Sequence, residues 1–135
     1  MNAAFDNAAE TDVSCYVRSG ALRIRESLEW LTRKYCVGNW NGYGEKAISA
    51  KSWEAAYRFA QTLPAWVAGA DAVADADGEV SIEWYVSNDC YLELSFAESG
   101  SVHCYFKASD CKCSDIFAST EDKRIIELVA RMSHA

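Results

Sequence analysis

Any chemistry in this chain has to come from a short list of side chains, and the densest group is His103, Cys104, Cys111 and Cys113. Their spacing does not suit zinc. One residue separates Cys111 from Cys113, where structural zinc sites space a pair by about two to four, and no second cysteine pair completes a tetrahedral set. Alternation along a strand also sends His103 and Cys104 to opposite faces. A second group, Asp71, Asp75, Asp77 and Gly78, resembles part of a calcium loop. Setting Gly78 at the loop's glycine position leaves Val73 and Trp84 where an acid and a bidentate glutamate belong. An Asp-Gly hairpin turn accounts for these residues without an ion. Cys90 with His103 is the pair to weigh for nucleophilic catalysis, but nothing local activates the thiol, and the sequence has no Gly-x-Ser-x-Gly elbow or glycine-rich phosphate loop. Glu83 and Glu93 fall on one face of adjacent expected strands and could share acid/base work, yet an exposed carboxylate pair lacks the desolvation that such work needs. The expectation is no catalytic residue, no metal and no cofactor.

The elements that position these side chains follow from hydrophobic periodicity. A chain of 135 residues, half of them apolar, can bury one core. Residues 1–12 read as a flexible arm and 13–135 as a single α+β domain. Between Val13 and Tyr35 the apolar positions Val17, Ala21, Ile24, Leu28, Leu31 and Tyr35 recur at steps of three and four, an amphipathic helix started or interrupted near Gly20. Ser49 sits where an N-cap belongs, ahead of a helix from about Ala50 to Leu63 with Trp53, Ala56, Tyr57, Ala60 and Leu63 on one face, and Pro64 marks its stop.

After Gly69 the period changes to two. Asp71–Ala76 is a weak strand, Asp77-Gly78 a turn, and Val80, Ile82, Trp84 and Val86 alternate with polar neighbours. Cys90, Leu92, Leu94 and Phe96 repeat the pattern, as do Val102, Cys104 and Phe106. Residues 110–118 read as a polar, cysteine-bearing connection. Ser119 or Thr120 caps a last helix carrying Ile125, Leu128, Val129 and Met132, with Glu121 and Asp122 in its first turn. The expected fold is a two-layer α+β sandwich in the order ααββββα, a four-stranded antiparallel meander with three helices on one face.

Charge narrows the partners. The net charge is -7; residues 18–58 carry eight bases against four acids, and residues 59–135 five bases against thirteen acids. Such a balance disfavours direct nucleic-acid binding, which rests on Lys and Arg neutralising phosphates. A basic protein or a nucleoprotein complex fits better. No apolar run approaches the roughly 18 residues a membrane span needs and no secretory leader opens the sequence, so the expected setting is the cytoplasm without a membrane partner, with the six cysteines as reduced thiols.

The polar face of the sheet presents Glu79, Glu83, Tyr85, Tyr91, Glu93, His103, Tyr105 and Lys107. Tyrosine gives a large rigid contact area with a polar tip and is enriched at protein interfaces, so Glu79, Glu83, Tyr85, Tyr91, Glu93, His103 and Tyr105 are the expected protein-binding residues. The alternative is a small-molecule site, or an enzyme, built on Trp40 and Tyr43, whose neighbouring glycines allow close approach to backbone. A homodimer through an open sheet edge is a third reading.

Asn39-Trp40-Asn41-Gly42-Tyr43-Gly44, with Ile48-Ser49 before a helix and Asp77-Gly78 before a strand ending Glu83-Trp84, resembles a family of small uncharacterised bacterial proteins. In that family a Trp-Asp-Gly-Tyr-Gly-Ala loop precedes Pro-Ile-Ser-Pro and a helix, and a Pro-Asp-Gly turn leads into a Glu-Trp strand. The likeness covers about residues 39–97. This chain has Asn41 for the aspartate, Glu45 for the alanine, and Ala47 and Ala50 for the prolines. The resemblance implies the architecture and a bacterial or phage setting, and it carries no activity. The loop is expected to pin the join of the first two helices to the core face of the sheet. The functional expectation is a non-enzymatic acidic module, an inhibitor or antitoxin-like neutraliser, extending to a phage-encoded anti-defence protein of the anti-CRISPR type.

Overall fold

A computed structural model describes residues 8–38, 42 and 44–134, with side chains from Gly20 on. Three helices and five strands follow in the order ααβββββα: α1 Ala8–Lys34, α2 Ala50–Gln61, β1 Asp71–Ala74, β2 Val80–Ser87, β3 Cys90–Phe96, β4 Val102–Ala108, β5 Cys111–Phe117 and α3 Lys123–Ser133. The strands form one antiparallel sheet in sequence order. Helices α1, α2 and α3 pack on one face of it, which is the expected two-layer arrangement.

One strand was not expected. Residues 111–117 do not connect β4 to the last helix as a polar loop; Ser109 and Asp110 turn the chain back and the segment pairs with β4 from Ala108↔Cys111 to Val102↔Phe117. Its sequence has no alternation because only Phe117 is buried. A strand exposed on both faces carries no period-2 signal, so the ladder to β4 alone defines it.

The buried rows bear out the period of two. Ile82, Leu94 and Cys104 stand side by side, as do Val80, Phe96 and Val102, and all are fully buried. Val86 departs from this pattern: the register shifts between Tyr85 and Ser87, and the bulge leaves Val86 exposed. Helix α1 contributes Ile24, Leu28 and Leu31 to the core. It runs without interruption through Gly20, which correctly marks a special position but for a different reason. A Cβ on Gly20 would lie 1.8 Å from the carbonyl oxygen of Val67. Glycine is there so that the helix can touch the segment entering β1.

Ser49 caps α2, accepting from the Ser52 N–H. The buried face of α2 is Ser52, Ala56, Phe59 and Ala60, rotated from the expected stripe; Trp53 and Tyr57 instead stack on each other at 4.9 Å on its flank, and Trp53 Nε1 donates to the Leu28 carbonyl. At the last helix the N-cap is Asp122, not Ser119 or Thr120, and the first turn has no acid. Asp122 takes the Arg124 N–H and the Arg124 guanidinium together, which holds its carboxyl down at about 2.

Ser52 locks helix to sheet. Its hydroxyl donates to the Phe96 carbonyl at 2.5 Å and accepts the Val80 N–H at 2.7 Å, fully buried. Ser52→Ala would leave both backbone groups without a partner. The expected loss is about 2–4 kcal/mol, read as a lowered urea midpoint with unchanged slope.

Candidate functional site

The face of the sheet turned away from the helices carries three rows set by strand register. Asp71, Glu83, Glu93, Tyr105 and Ser114 form one row; Val73, Ser81, Ser95, His103 and Ile116 a second; Tyr85, Tyr91, Lys107 and Lys112 a third. Glu79 stands just ahead of β2, beside the turn made by Asp75, Asp77 and Gly78. The register therefore brings Glu83, Tyr85, Tyr91, Glu93, His103 and Tyr105 onto one surface, with Glu79 at its border. Cys90 and His103 are not brought together: Cys90 opens β3 opposite Ser87, while His103 faces Ser95 near the other end of that strand.

Sequence reasoning missed the floor of this surface. Ser81 and Ser95 are buried although no helix covers them, because they are short side chains between rows of taller ones. Their hydroxyls meet at 2.7 Å, and Ser81 also donates to Asp75 at 3.1 Å. The period of two identifies their face, but burial there depends on neighbours brought alongside from other strands. The β5 residues Lys112, Ser114 and Ile116 were missed for want of the strand itself.

The acids stand close enough to raise one another's proton affinity. Glu93 is raised from the ordinary carboxyl value first by burial and then by Asp75 and Glu83; Glu79 by burial and then by Asp77 and Asp75; Asp75 by burial and by Asp77, against a lowering hydrogen bond from Ser81. A raised carboxyl holds its proton more tightly folded than unfolded. Its stabilisation is complete below the unfolded value, near 4.5 for Glu93, and is lost as pH rises through the folded value. Glu93→Gln removes this charge while keeping the shape, so its melting temperature should exceed that of the parent at pH 7, and the two should converge at about pH 4. A parent that melts higher than the variant at pH 7 would contradict the reading.

His103 sits between two hydroxyls. Its Nδ1 lies 3.2 Å from the Tyr105 oxygen and its Nε2 3.2 Å from Ser114 Oγ, with the His103 and Tyr105 rings 4.2 Å apart. The order serine, histidine, tyrosine has the form of a nucleophile, base and orienting group. Ser114, however, is exposed on a bare strand, and acyl transfer draws most of its acceleration from preorganised dipoles in a site that excludes water. The network orients the tyrosine instead. At the far end of the face Lys107 pairs with Asp89 at 3.3 Å, and the Tyr85 hydroxyl donates to Asn88. Tyr85 is 56% exposed and Tyr105 38%; with Tyr91, Lys112 and Ser114, Tyr105 borders a shallow hollow of about 270 Å³.

For a cation, the nearest oxygens of Asp75, Asp77 and Glu79 lie within 4.8 Å of one another. Turn geometry already explains this convergence: Asp77 accepts the Glu79 N–H, and Asp75 takes Ser81. His103 and Cys104 point to opposite faces, His103 outward and Cys104 into the core. Burial, followed by Cys113 and Asp115, pushes the Cys104 thiol up to about 12. The five cysteines whose side chains are described, Cys36, Cys90, Cys104, Cys111 and Cys113, are free thiols.

Trp40 and Tyr43, with Asn39 and Asn41, lie outside the described residues. Gly42 and Gly44 beside them have φ of 81° and 83°, a conformation only glycine adopts freely. The described end of this loop crosses the end of the sheet: Lys46 N–H donates to Ala76, Ser49 N–H to Gly78 and Ile48 N–H to Tyr35.

Fold and face together define a small two-layer α+β protein whose sheet is covered on one side and left as an acidic, tyrosine-bearing surface on the other. Comparison of the chain with protein-family models, with curated proteins and with solved structures finds no match. Among the described residues no helix is long and apolar enough to cross a membrane.

Proposed function

We propose that the protein is a non-enzymatic binding module that applies the open face of its sheet to a basic surface on a protein or nucleoprotein partner, as an inhibitor or antitoxin-like neutraliser does. The observation that carries this reading is the gathering of acids on and beside an uncovered face: Glu83 stands opposite Glu93 on adjacent strands, Asp75, Asp77 and Glu79 converge at its border, and burial first, then neighbouring carboxylates, raise Asp75, Glu79 and Glu93. Acids so arranged cost stability when charged at neutral pH, through desolvation first and repulsion second, and a cationic partner offsets the repulsive part. Tyr85, Tyr91 and Tyr105 supply the contact area beside them. The loop resemblance supports a bacterial or phage setting and nothing further; a cytoplasmic inhibitor of the anti-defence type is the specific form of the proposal.

The test is binding to an arginine- and lysine-rich protein fraction of the native host, at low and high salt. Affinity should fall as salt rises, Glu83→Lys with Glu93→Lys should abolish capture, and Tyr105→Ala or Tyr85→Ala should weaken it about tenfold. Salt-independent capture, or capture unchanged by the double charge reversal, would overturn the proposal.

A further inference from the structure

The two edges of the sheet are treated differently. At one edge β1 is four residues long and α1 closes it: the Ala72 N–H donates to Ser27 Oγ at 2.8 Å, and Arg23 pairs with Asp71 at 3.1 Å. At the other edge lies β5, seven residues long and exposed from Cys111 to Ile116. Helix α3 packs on β3 and reaches the ends of this edge only through long side chains, Arg131 to Asp110 at 2.9 Å and Arg124 over the Phe117 ring, leaving a cleft of about 370 Å³ between β5 and α3 and the backbone of Lys112, Ser114 and Ile116 uncovered.

Which β5 groups are unpaired follows from the hairpin. A two-residue turn closes on a hydrogen-bonded pair, here Ala108 and Cys111, and bonded pairs then alternate with unbonded ones. Cys111, Cys113, Asp115 and Phe117 spend their backbone groups on β4, so those of Lys112, Ser114 and Ile116 point away from the sheet. The Ile116 N–H confirms this direction by donating to the Asp115 carboxylate at 2.8 Å rather than to β4.

We propose that this edge pairs antiparallel with β5 of a second copy, about a two-fold axis through Ser114, to make one continuous ten-stranded sheet. In that register Lys112 lies opposite Ile116 of the second copy and Ser114 opposite Ser114, and every outward N–H and C=O of the three residues finds a partner. Neighbouring registers do worse: an axis through Ile116 carries the pairing past the strand's end at Phe117 and leaves the outward groups of Lys112 without a strand partner. An axis through Lys112 sets ammonium against ammonium, and one through Asp115 sets carboxylate against carboxylate. An axis through Cys113 leaves both Ile116 residues unpaired. The chosen register also covers Ile116, which is 64% exposed in the single chain, with the aliphatic stem of a lysine. Because the axis is perpendicular to the sheet, both acidic faces look the same way, and the row Glu83, Glu93, Tyr105, Ser114 continues into its own mirror order across the axis. Pairing exchanges the Asp115 bond to the Ile116 N–H for a ladder bond.

Ser114→Pro is the discriminating variant. Proline removes an N–H that the single chain does not use in its ladder, and proline is tolerated on an edge that faces solvent. Native mass spectrometry and sedimentation should give twice the 15.0 kDa chain mass for the parent and for Ser114→Ala, which keeps the N–H. Ser114→Pro should give the chain mass with an unchanged circular dichroism spectrum. Ile116→Lys, which sets a second ammonium beside Lys112 of the other copy, should raise the dimer dissociation constant at least tenfold and serves if the proline variant misfolds. A parent that stays monomeric across the micromolar range, or a dimer that survives both Ser114→Pro and Ile116→Lys, overturns the proposal. None of these outcomes depends on the basic partner, since the charge reversals at Glu83 and Glu93 leave the β5 edge intact.

Discussion

Trp84→Ala should lower stability by about 3–5 kcal/mol, the range for removing a large buried aromatic side chain, and so lower the melting temperature by on the order of 15 °C. Trp84 is only 2% exposed and stands on β2 beside Leu92. Its loss is more than a cavity. The indole Nε1 donates to the Ala68 carbonyl at 2.9 Å, and the N–H of the same residue donates to Ser133 Oγ on α3, also at 2.9 Å. One residue of an irregular segment is thus held by the sheet on one side and by the last helix on the other. Trp84→Phe separates the two contributions: it keeps most of the packing and leaves the carbonyl without its donor, for an expected cost of about 1–3 kcal/mol. Calorimetric unfolding of the three proteins measures both. Equal melting temperatures for the parent and Trp84→Phe would show that the bond contributes nothing.

Gly20→Ala should destabilise although alanine is the better helix former. The added carbon would lie 1.8 Å from the Val67 carbonyl oxygen and 2.9 Å from the Ala68 carbonyl carbon. Both neighbours are backbone and cannot swing aside. Relief requires α1 to move off the segment that leads into β1, which costs about 3 kcal/mol at the upper end of the overpacking range. Helix propensity returns about 1 kcal/mol, leaving a net loss of about 2 kcal/mol. Gly69→Ala is the control. Its added carbon meets Arg23 Cδ at 2.9 Å, a flexible side chain that can turn away, so its effect should stay within about 0.5 kcal/mol. Urea titration of the two variants decides: a Gly20→Ala protein as stable as the parent would mean that the helix is not seated on Val67.

Both predictions meet on Val67 and Ala68, and nothing local in Pro64-Ala65-Trp66-Val67-Ala68-Gly69 marks those residues. Alanine has no side-chain chemistry, and the groups in use are its backbone N–H and C=O. Any residue offers the same pair, so only the approach of Trp84, Ser133 and Gly20 from three distant parts of the chain gives them a role.

The sequence by itself determined what depends on local periodicity and local caps. Steps of three and four placed Ile24, Leu28 and Leu31 in the core, alternation assigned Glu83, Tyr85, Tyr91, Glu93, His103 and Tyr105 to one face, and Ser49 was legible as a cap because its partner is three residues away. The tertiary structure alone decided the rest. It made a strand of Cys111–Phe117 by pairing it with β4, buried Ser81 and Ser95 among taller neighbours, and left one sheet edge closed by Ser27 and the other open at Ser114. Each of these depends on which segments meet in space, and hydrogen bonds to a distant strand or helix leave no period in the residues that make them.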